Sequence, residues 1–228
     1  MAAMTKTVYL ASQSPRRLEL LRQIGLVPVI LPLRHAPPRA DVDETPLPGE
    51  PAFEYVRRLA RMKAEAGMLA LCGRRLPEGP VVAADTTVTL AGQILGKPAH
   101  AEEAAAMLRA YSGRTHSVLT AVAVAQAGEV AVAVSESEVR FRTLSEAEIS
   151  AYVASHEPYD KAGGYGIQGR AALFIEHIAG SYTGIMGLPL YETGALLAGQ
   201  GWRSSRGTRV ASREPGRRLP GSRLSTPG

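Results

Sequence analysis

Two adjacent arginines open a helix-like segment at a place where acidic side chains are the usual choice. In Ser12-Gln13-Ser14-Pro15-Arg16-Arg17, Ser14 can cap the helix, and Pro15 suits a first turn where a missing N–H costs nothing. Arg16 and Arg17 then share that turn with the positive end of the helix dipole. An anion between the guanidinium groups and the exposed backbone N–H groups resolves the conflict, and phosphate suits the planar fork of arginine. The plainer alternative is a pair of solvated side chains. Asp85 follows the apolar run Val81-Val82-Ala83-Ala84, where a buried strand is expected to approach the sheet edge. A carboxylate there needs water, a metal or a cation, and ligands gather at strand ends in α/β sheets; an Asp that opens a turn is the competing explanation. Thr86 beside it is compatible with a plain strand residue. Lys63 comes four residues after Leu59 and seven after Val56, which puts it on the apolar face of its helix, either snorkelling to solvent or aimed at an anion.

Two further charges complete the set. Lys97 sits in Gly96-Lys97-Pro98 after a hairpin, where a surface role is the default, and Glu44 sits in a loop, where it reads as a solvated acid. Glu44 and Asp85 together could hold magnesium, which takes a few carboxylates plus phosphate oxygens and waters. Four cations (Arg16, Arg17, Lys63, Lys97) and two acids are what a triphosphate–metal site requires. Gly163-Gly164-Tyr165-Gly166-Ile167-Gln168-Gly169 is too glycine-dense for regular structure. Its backbone can approach a ligand closely, and Gln168 can donate to and accept from a base edge; a tight turn between strands accounts for the glycines equally simply. No helix pattern follows it, so it is not a dinucleotide fingerprint.

The elements that must carry these residues alternate between strand-like and helix-like segments from 7 to 198, predicting one α/β domain. Strands are expected at Val8–Ala11, Val27–Leu33, Val81–Leu90 and Ala172–Ile178, with a hairpin of Val118–Ala125 and Val130–Phe141 around Gly128. Helices are expected from Leu18 to Ile24, across Phe53 to Ala64 with Pro51 in the first turn, from Ala101 to Tyr111, after the capping box Ser145-Glu146-Ala147-Glu148, and from Pro189 to Leu197.

Composition narrows the classes. The 228 residues are 45% hydrophobic, enough for a sizeable core, and no apolar run is long enough for a membrane span. The N-terminus carries no signal-peptide h-region, and Cys72 is the only cysteine, so neither an internal disulfide nor a cysteine zinc site is available. The five histidines show no metal-ligand spacing. A reducing cytoplasm fits these features. The net charge of +5 is local: residues 201–228 hold seven arginines and one acid, leaving 19 bases and 20 acids elsewhere. That Gly/Ser/Pro/Arg segment is expected to be a disordered extension of a domain spanning 1–200. The body gives no reason to expect a specific nucleic-acid partner.

Taken in order, Ser12-Gln13-Ser14-Pro15-Arg16-Arg17, Arg58-Leu59-Ala60-Arg61-Met62-Lys63-Ala64, Ala84-Asp85-Thr86, Gly96-Lys97-Pro98, Ser112-Gly113-Arg114-Thr115-His116, Asp160-Lys161-Ala162-Gly163 and Gly187-Leu188-Pro189 resemble the Maf-like nucleoside triphosphate pyrophosphatases. The match runs from about Val8 to Leu197. The resemblance implies hydrolysis of a nucleoside triphosphate between the α- and β-phosphates with a divalent metal, Mg2+ or Mn2+, disposing of non-standard or surplus nucleotides. It implies Asp85 as the acceptor of the proton from the attacking water and as a metal contact, with Glu44 as its companion acid. Lys63 and Lys97 are implied as phosphate clamps, and Ser14, Arg16 and Arg17 as the anion grip. Arg16, Thr86 and Gln168 agree with the dTTP/UTP branch of that family, whereas its 7-methyl-GTP branch carries an aromatic residue, Gln and Glu at those places. The implied fold is a long mixed β-sheet flanked by helices with a central cleft, shared with inosine triphosphate pyrophosphatases and commonly found in homodimers. The alternatives are the same chemistry on 7-methyl-GTP or a modified nucleotide, and a nucleotide-binding regulator of cell division.

Overall fold

The computed structural model describes residues 7–34 and 40–200. The arginine-rich segment 201–228 lies outside the described residues. The chain runs β1 (Thr7–Leu10), α1 (Pro15–Gln23), β2 (Val27–Ile30), α2 (Ala52–Gly73), β3 (Val81–Leu90), β4 (Gln93–Leu95), α3 (Ala101–Tyr111), β5 (Thr115–Gln126), β6 (Glu129–Phe141), α4 (Glu146–Val153), β7 (Ile175–Ala179), α5 (Tyr182–Ile185) and α6 (Leu190–Gly199). Three 3₁₀ turns, Glu157–Asp160, Ala162–Gly164 and Arg170–Leu173, lie between α4 and β7. The strands form one seven-stranded sheet in the order β2-β1-β3-β5-β6-β7, with β4 paired to β3. β2, β1 and β3 are parallel, and the other pairings are antiparallel, so the expected mixed α/β sheet is present.

Local chemistry accounts for several boundaries. Ser14 Oγ accepts from the Arg17 N–H at 3.5 Å and Pro15 is the first helical residue of α1, as the sequence predicts. Ser145 and Glu148 form a reciprocal capping box at α4. The β5–β6 hairpin turns through Ala127 and Gly128, both with positive φ, which suits a tight two-residue connection.

Four expectations need correction. β2 stops at Ile30 rather than Leu33, and Leu31 and Leu33 instead turn inward into the core beneath α2. β7 begins at Ile175, because residues 170–173 wind into a 3₁₀ turn after the glycine-rich segment. Pro51 and Pro189 stand just ahead of their helices in extended conformation rather than inside the first turn. Phe53, placed on the apolar face of α2 by its spacing, is exposed.

Two cores cover the sheet's faces. α2 packs through Val56, Ala60 and Ala64 on Val81, Ala83 and the alanines of β5, while α1 and α6 pack through Leu20, Leu21 and Leu197 on Val82, Ala84, Val122 and Val124. Gly67 lets α2 lie close: a Cβ there would stand 2.7 Å from Val81 Cγ1 and 3.0 Å from Ala11 Cβ. A third, aromatic cluster of Tyr111, Phe141, Tyr152, Tyr165 and Phe174 fills the far end.

Candidate active site

β3 is longer than the strand beside it, and the cleft forms where that partner runs out. β1 pairs with β3 only as far as Leu10 and Val82, and β4 joins that strand again only at Val88. Asp85 is therefore mid-strand, inside the Val81–Leu90 span expected from the sequence, and the strand end that opens the cleft belongs to β1. On the other side Asp85 and Thr86 remain locked in register opposite Ala121 and Thr120 of β5.

The two-residue period of a strand sends these neighbours to opposite faces. Asp85 follows Val81 and Ala83 onto the α2 face, and Thr86 follows Val82 and Ala84 onto the α1 face. Each meets a cation from the helix covering that face. Lys63 Nζ of α2 donates to Asp85 Oδ1 at 2.6 Å and lies 2.9 Å from Glu44 Oε1, so one ammonium holds both acids. Arg17 Nη2 of α1 donates to Thr86 Oγ1 at 3.3 Å. Its Nε donates to the Gly187 carbonyl at 2.8 Å, and Nη1 to Ser12 Oγ at 3.4 Å. Arg17 is thereby fixed by its own chain on three sides.

Thr86 is equally committed. Thr120 Oγ1 lies 3.0 Å from Thr86 Oγ1 and 2.8 Å from the Gly184 carbonyl. A hydroxyl has one proton, so giving it to the carbonyl makes Thr120 the acceptor from Thr86, which in turn accepts from Arg17.

Burial sets the electrostatics. Removal from water pushes the Asp85 carboxyl above the ordinary aspartate range; Lys63 and Arg17 pull it back, and Glu44 pushes in the same direction as burial. Desolvation lowers the Arg17 pKa against the pull of Asp85. A raised carboxyl beside two cations in a cleft is the environment of a proton acceptor.

The other wall is built from the glycine-rich segment and the β4 hairpin. The Gly163 N–H donates to the Gly96 carbonyl at 2.8 Å, tying the turn that carries Lys97 to the segment that carries Gln168. Gly163 has φ of 74°, and a Cβ there would stand 2.5 Å from Val88 Cγ2, so both backbone and space demand glycine. Lys97 and Gln168 are exposed and line the cleft. Arg16 Nη1 reaches across to Asp160 Oδ2 at 3.2 Å, and Asp160 also binds Lys161, whose Nζ donates to the Glu157 carbonyl at 2.7 Å.

All nine residues singled out from the sequence (Ser14, Arg16, Arg17, Glu44, Lys63, Asp85, Thr86, Lys97 and Gln168) line one cleft of about 1100 Å³. The sequence reading gave no role to Ser12, Tyr55, Asp160 or Lys161, which line it too. The signal for Asp160 and Lys161 was their place in the ordered motif series; adjacent opposite charges otherwise look like solvated surface. Among the described residues no cluster of three or more His, Cys, Asp or Glu is poised for a metal. A cation at Glu44 and Asp85 would therefore take its remaining oxygens from phosphate and water, which is how Mg2+ is commonly held. The donor set fits such an ion.

Residues 7–200 match the family model described as Maf-like protein. A dTTP/UTP pyrophosphatase of Aromatoleum aromaticum is 60% identical over 197 residues, covering 86% of this chain and 96% of that protein. A dTTP/UTP pyrophosphatase of Chromobacterium violaceum is 55% identical over 191 residues, covering 84% of this chain and 93% of that one. Among solved structures, the Ham1 protein of Staphylococcus aureus is similar at a TM-score of 0.41 and 18% identity, over 59% of this chain and 71% of that one. Agreement of the family model and of these two relatives across the whole span that bears the cleft establishes that this chain belongs to the Maf family.

Proposed function

We infer that this chain is a dTTP/UTP pyrophosphatase, hydrolysing the nucleoside triphosphate to the monophosphate and pyrophosphate. The relatives named for that activity supply the substrate class, being 55% to 60% identical over most of the chain. The observation that carries the chemistry is Asp85, a buried carboxylate lining the cleft that is hydrogen-bonded to Lys63 and lies within the field of Arg17.

In this reading a water oxygen bonds to phosphorus, the α–β anhydride P–O bond breaks, and pyrophosphate leaves with the electron pair. Asp85 accepts the proton of the attacking water. Lys63 lets the buried Asp85 and the exposed Glu44 stay ionised side by side, which like charges resist without a cation between them. Arg16 and Lys97 meet the phosphates from the two walls, with Ser14 and the first turn of α1 offering backbone N–H groups. Arg17 is anchored by Ser12, Thr86 and Gly187, so it lends its charge to the cleft from a fixed position. Glu44 and Asp85 would hold the divalent cation, Mg2+ or Mn2+, whose positive charge would offset the negative charge building on the phosphates. Gln168 can pair with the N3–H and carbonyls of uracil or thymine.

No helix among the described residues is long and apolar enough to cross a membrane. Action in the cytoplasm and a homodimeric state belong to the same proposal; exposed Val27, Val29 and Ile30 on the sheet's edge strand β2 are compatible with a second copy.

Pyrophosphate release from dTTP, UTP, CTP and 7-methyl-GTP, each with Mg2+ and with Mn2+, tests the reading. dTTP and UTP should lead. Equal rates on all four would remove the branch assignment, and binding without release from any would favour the cell-division regulator.

A further inference from the structure

Glu44 lies in an irregular loop, yet three side chains of α2 grip that loop. Lys63 takes the Glu44 carboxylate at 2.9 Å. Tyr55 OH donates to the Glu44 carbonyl at 3.0 Å. Arg58 Nη2 donates to the next carbonyl, that of Thr45, at 3.1 Å. Arg58 also forks onto Glu50, through Nε to Oε1 at 2.6 Å and Nη2 to Oε2 at 2.7 Å.

The loop is closed on itself as well. Asp43 Oδ1 accepts from the Thr45 N–H at 2.9 Å, and Glu50 Oε2 accepts from the Leu47 N–H at 3.1 Å. Glu50 is thus shared between its own loop and Arg58, and its carboxyl is pulled down to about 2, first by the Arg58 hydrogen bond. Tyr55 and Arg58 are three residues apart on one side of α2, with the Arg58 guanidinium carbon 5.7 Å from the centre of the Tyr55 ring. The loop is therefore fastened to the same rigid helix that delivers Lys63.

We propose that Arg58, with Glu50 and Tyr55, is a positioning device that sets the Glu44 carboxylate against Lys63 and Asp85 for the reaction. Arg58 touches no reacting atom; it acts through the loop. A bidentate fork with a third bond to a carbonyl is a geometry that lysine cannot reproduce. The inference rests on the assignment of Glu44 to the catalytic site.

The test is a double-mutant cycle of Arg58→Lys and Glu44→Gln in the full-length protein, with Tyr55→Phe as a milder variant that removes only the bond to the Glu44 carbonyl. Arg58→Lys should lower kcat on the order of 10-fold to 100-fold, as expected for a misplaced catalytic group, with KM and melting temperature close to the parent. Tyr55→Phe should lower it less. In the Glu44→Gln background both losses should largely vanish, because nothing is left to position. Amide hydrogen exchange at residues 41–50 should rise in Arg58→Lys, a readout that needs no turnover. Equal loss in both backgrounds, or unchanged exchange in the loop, would overturn the positioning role alone. A parental kcat in Glu44→Gln itself would instead overturn the assignment of Glu44, and the clip's catalytic purpose with it.

Discussion

Lys63 and Asp85 are 22 residues apart in sequence and 2.6 Å apart in space, one on the buried face of α2 and the other in the middle of β3. Their meeting depends on how closely the helix lies on the sheet. Gly67, one turn beyond Lys63, removes the side chain that would hold the helix off Val81 and Ala11. The cores on both faces are therefore part of the site, because they set the distance between a lysine and an aspartate that each would be costly to bury alone.

The first prediction concerns Asp85. Asp85→Asn preserves shape and removes the proposed proton acceptor, so turnover should fall by roughly 100-fold or more while nucleotide binding survives. Single-turnover hydrolysis and equilibrium binding of dTTP separate the two effects. Near-parental hydrolysis in this variant ends the assignment.

The second concerns pH. The proposed mechanism needs Asp85 ionised, and burial raises its pKa, so kcat/KM should decline on acidification at a pH above the ordinary aspartate value of about 3.9. Lys63 pulls that pKa down, so Lys63→Met should move the acid limb to higher pH in whatever activity remains. An acid limb that stays in place in Lys63→Met would show that the observed titration belongs to another group.

The third concerns His116, buried in the aromatic cluster with Nε2 2.7 Å from Tyr165 OH and Nδ1 without a hydrogen-bond partner. Burial lowers its pKa to about 4 from 6.5, so the folded protein resists protonating it while the unfolded chain does not. Its neutral form is unopposed above pH 6.5, and stability should be lost as pH falls from there towards 4, by about 3 kcal/mol in all. Urea denaturation between pH 7 and pH 4 should show this slope, and a His116→Phe protein should lack most of it.

The fourth concerns base choice. If Gln168 reads the pyrimidine edge, CTP, whose N3 and exocyclic amine reverse the hydrogen-bond pattern, should be cleaved on the order of 10-fold to 1,000-fold less efficiently than dTTP. Gln168→Glu should reduce dTTP turnover with little change in melting temperature, since the side chain is exposed in the cleft wall. A variant that kept the parental order and rates would place base recognition elsewhere.

How much of this was legible follows from the kind of signal each residue carries. Lys63 could be placed on a buried face because helical spacing is a local property, and the fold put it there. Asp85 could be singled out because a charge after four apolar residues is conspicuous, and the strand Val81–Leu90 that carries it was legible as well; that β1 stops short beside it and opens the cleft depends on long-range pairing that local pattern does not encode. The anchoring of Arg17 by Gly187 and Thr86 joins segments 170 and 69 residues away, which spacing along the chain does not encode. Ser12 and Lys161 stood inside quoted motifs but carried no role, because a serine or a lysine in a polar stretch has many ordinary uses. The 3₁₀ turns between Glu157 and Leu173 were hidden for another reason: glycines permit many backbones, and the one adopted is selected by contacts such as Gly163 with Gly96.

The long register of β3 against β5 has a consequence for how this enzyme can change. Asp85 and Thr86 can move only if a nine-pair ladder moves with them, whereas Gln168 and Lys97 hang from segments that turn sharply and pair little. On the proposed roles, substitutions in the walls would therefore alter which base is welcomed without disturbing the carboxylate assigned to activate water. Substrate preference is free to drift among descendants of such a protein, while the hydrolytic step stays anchored to the architecture that folds the chain.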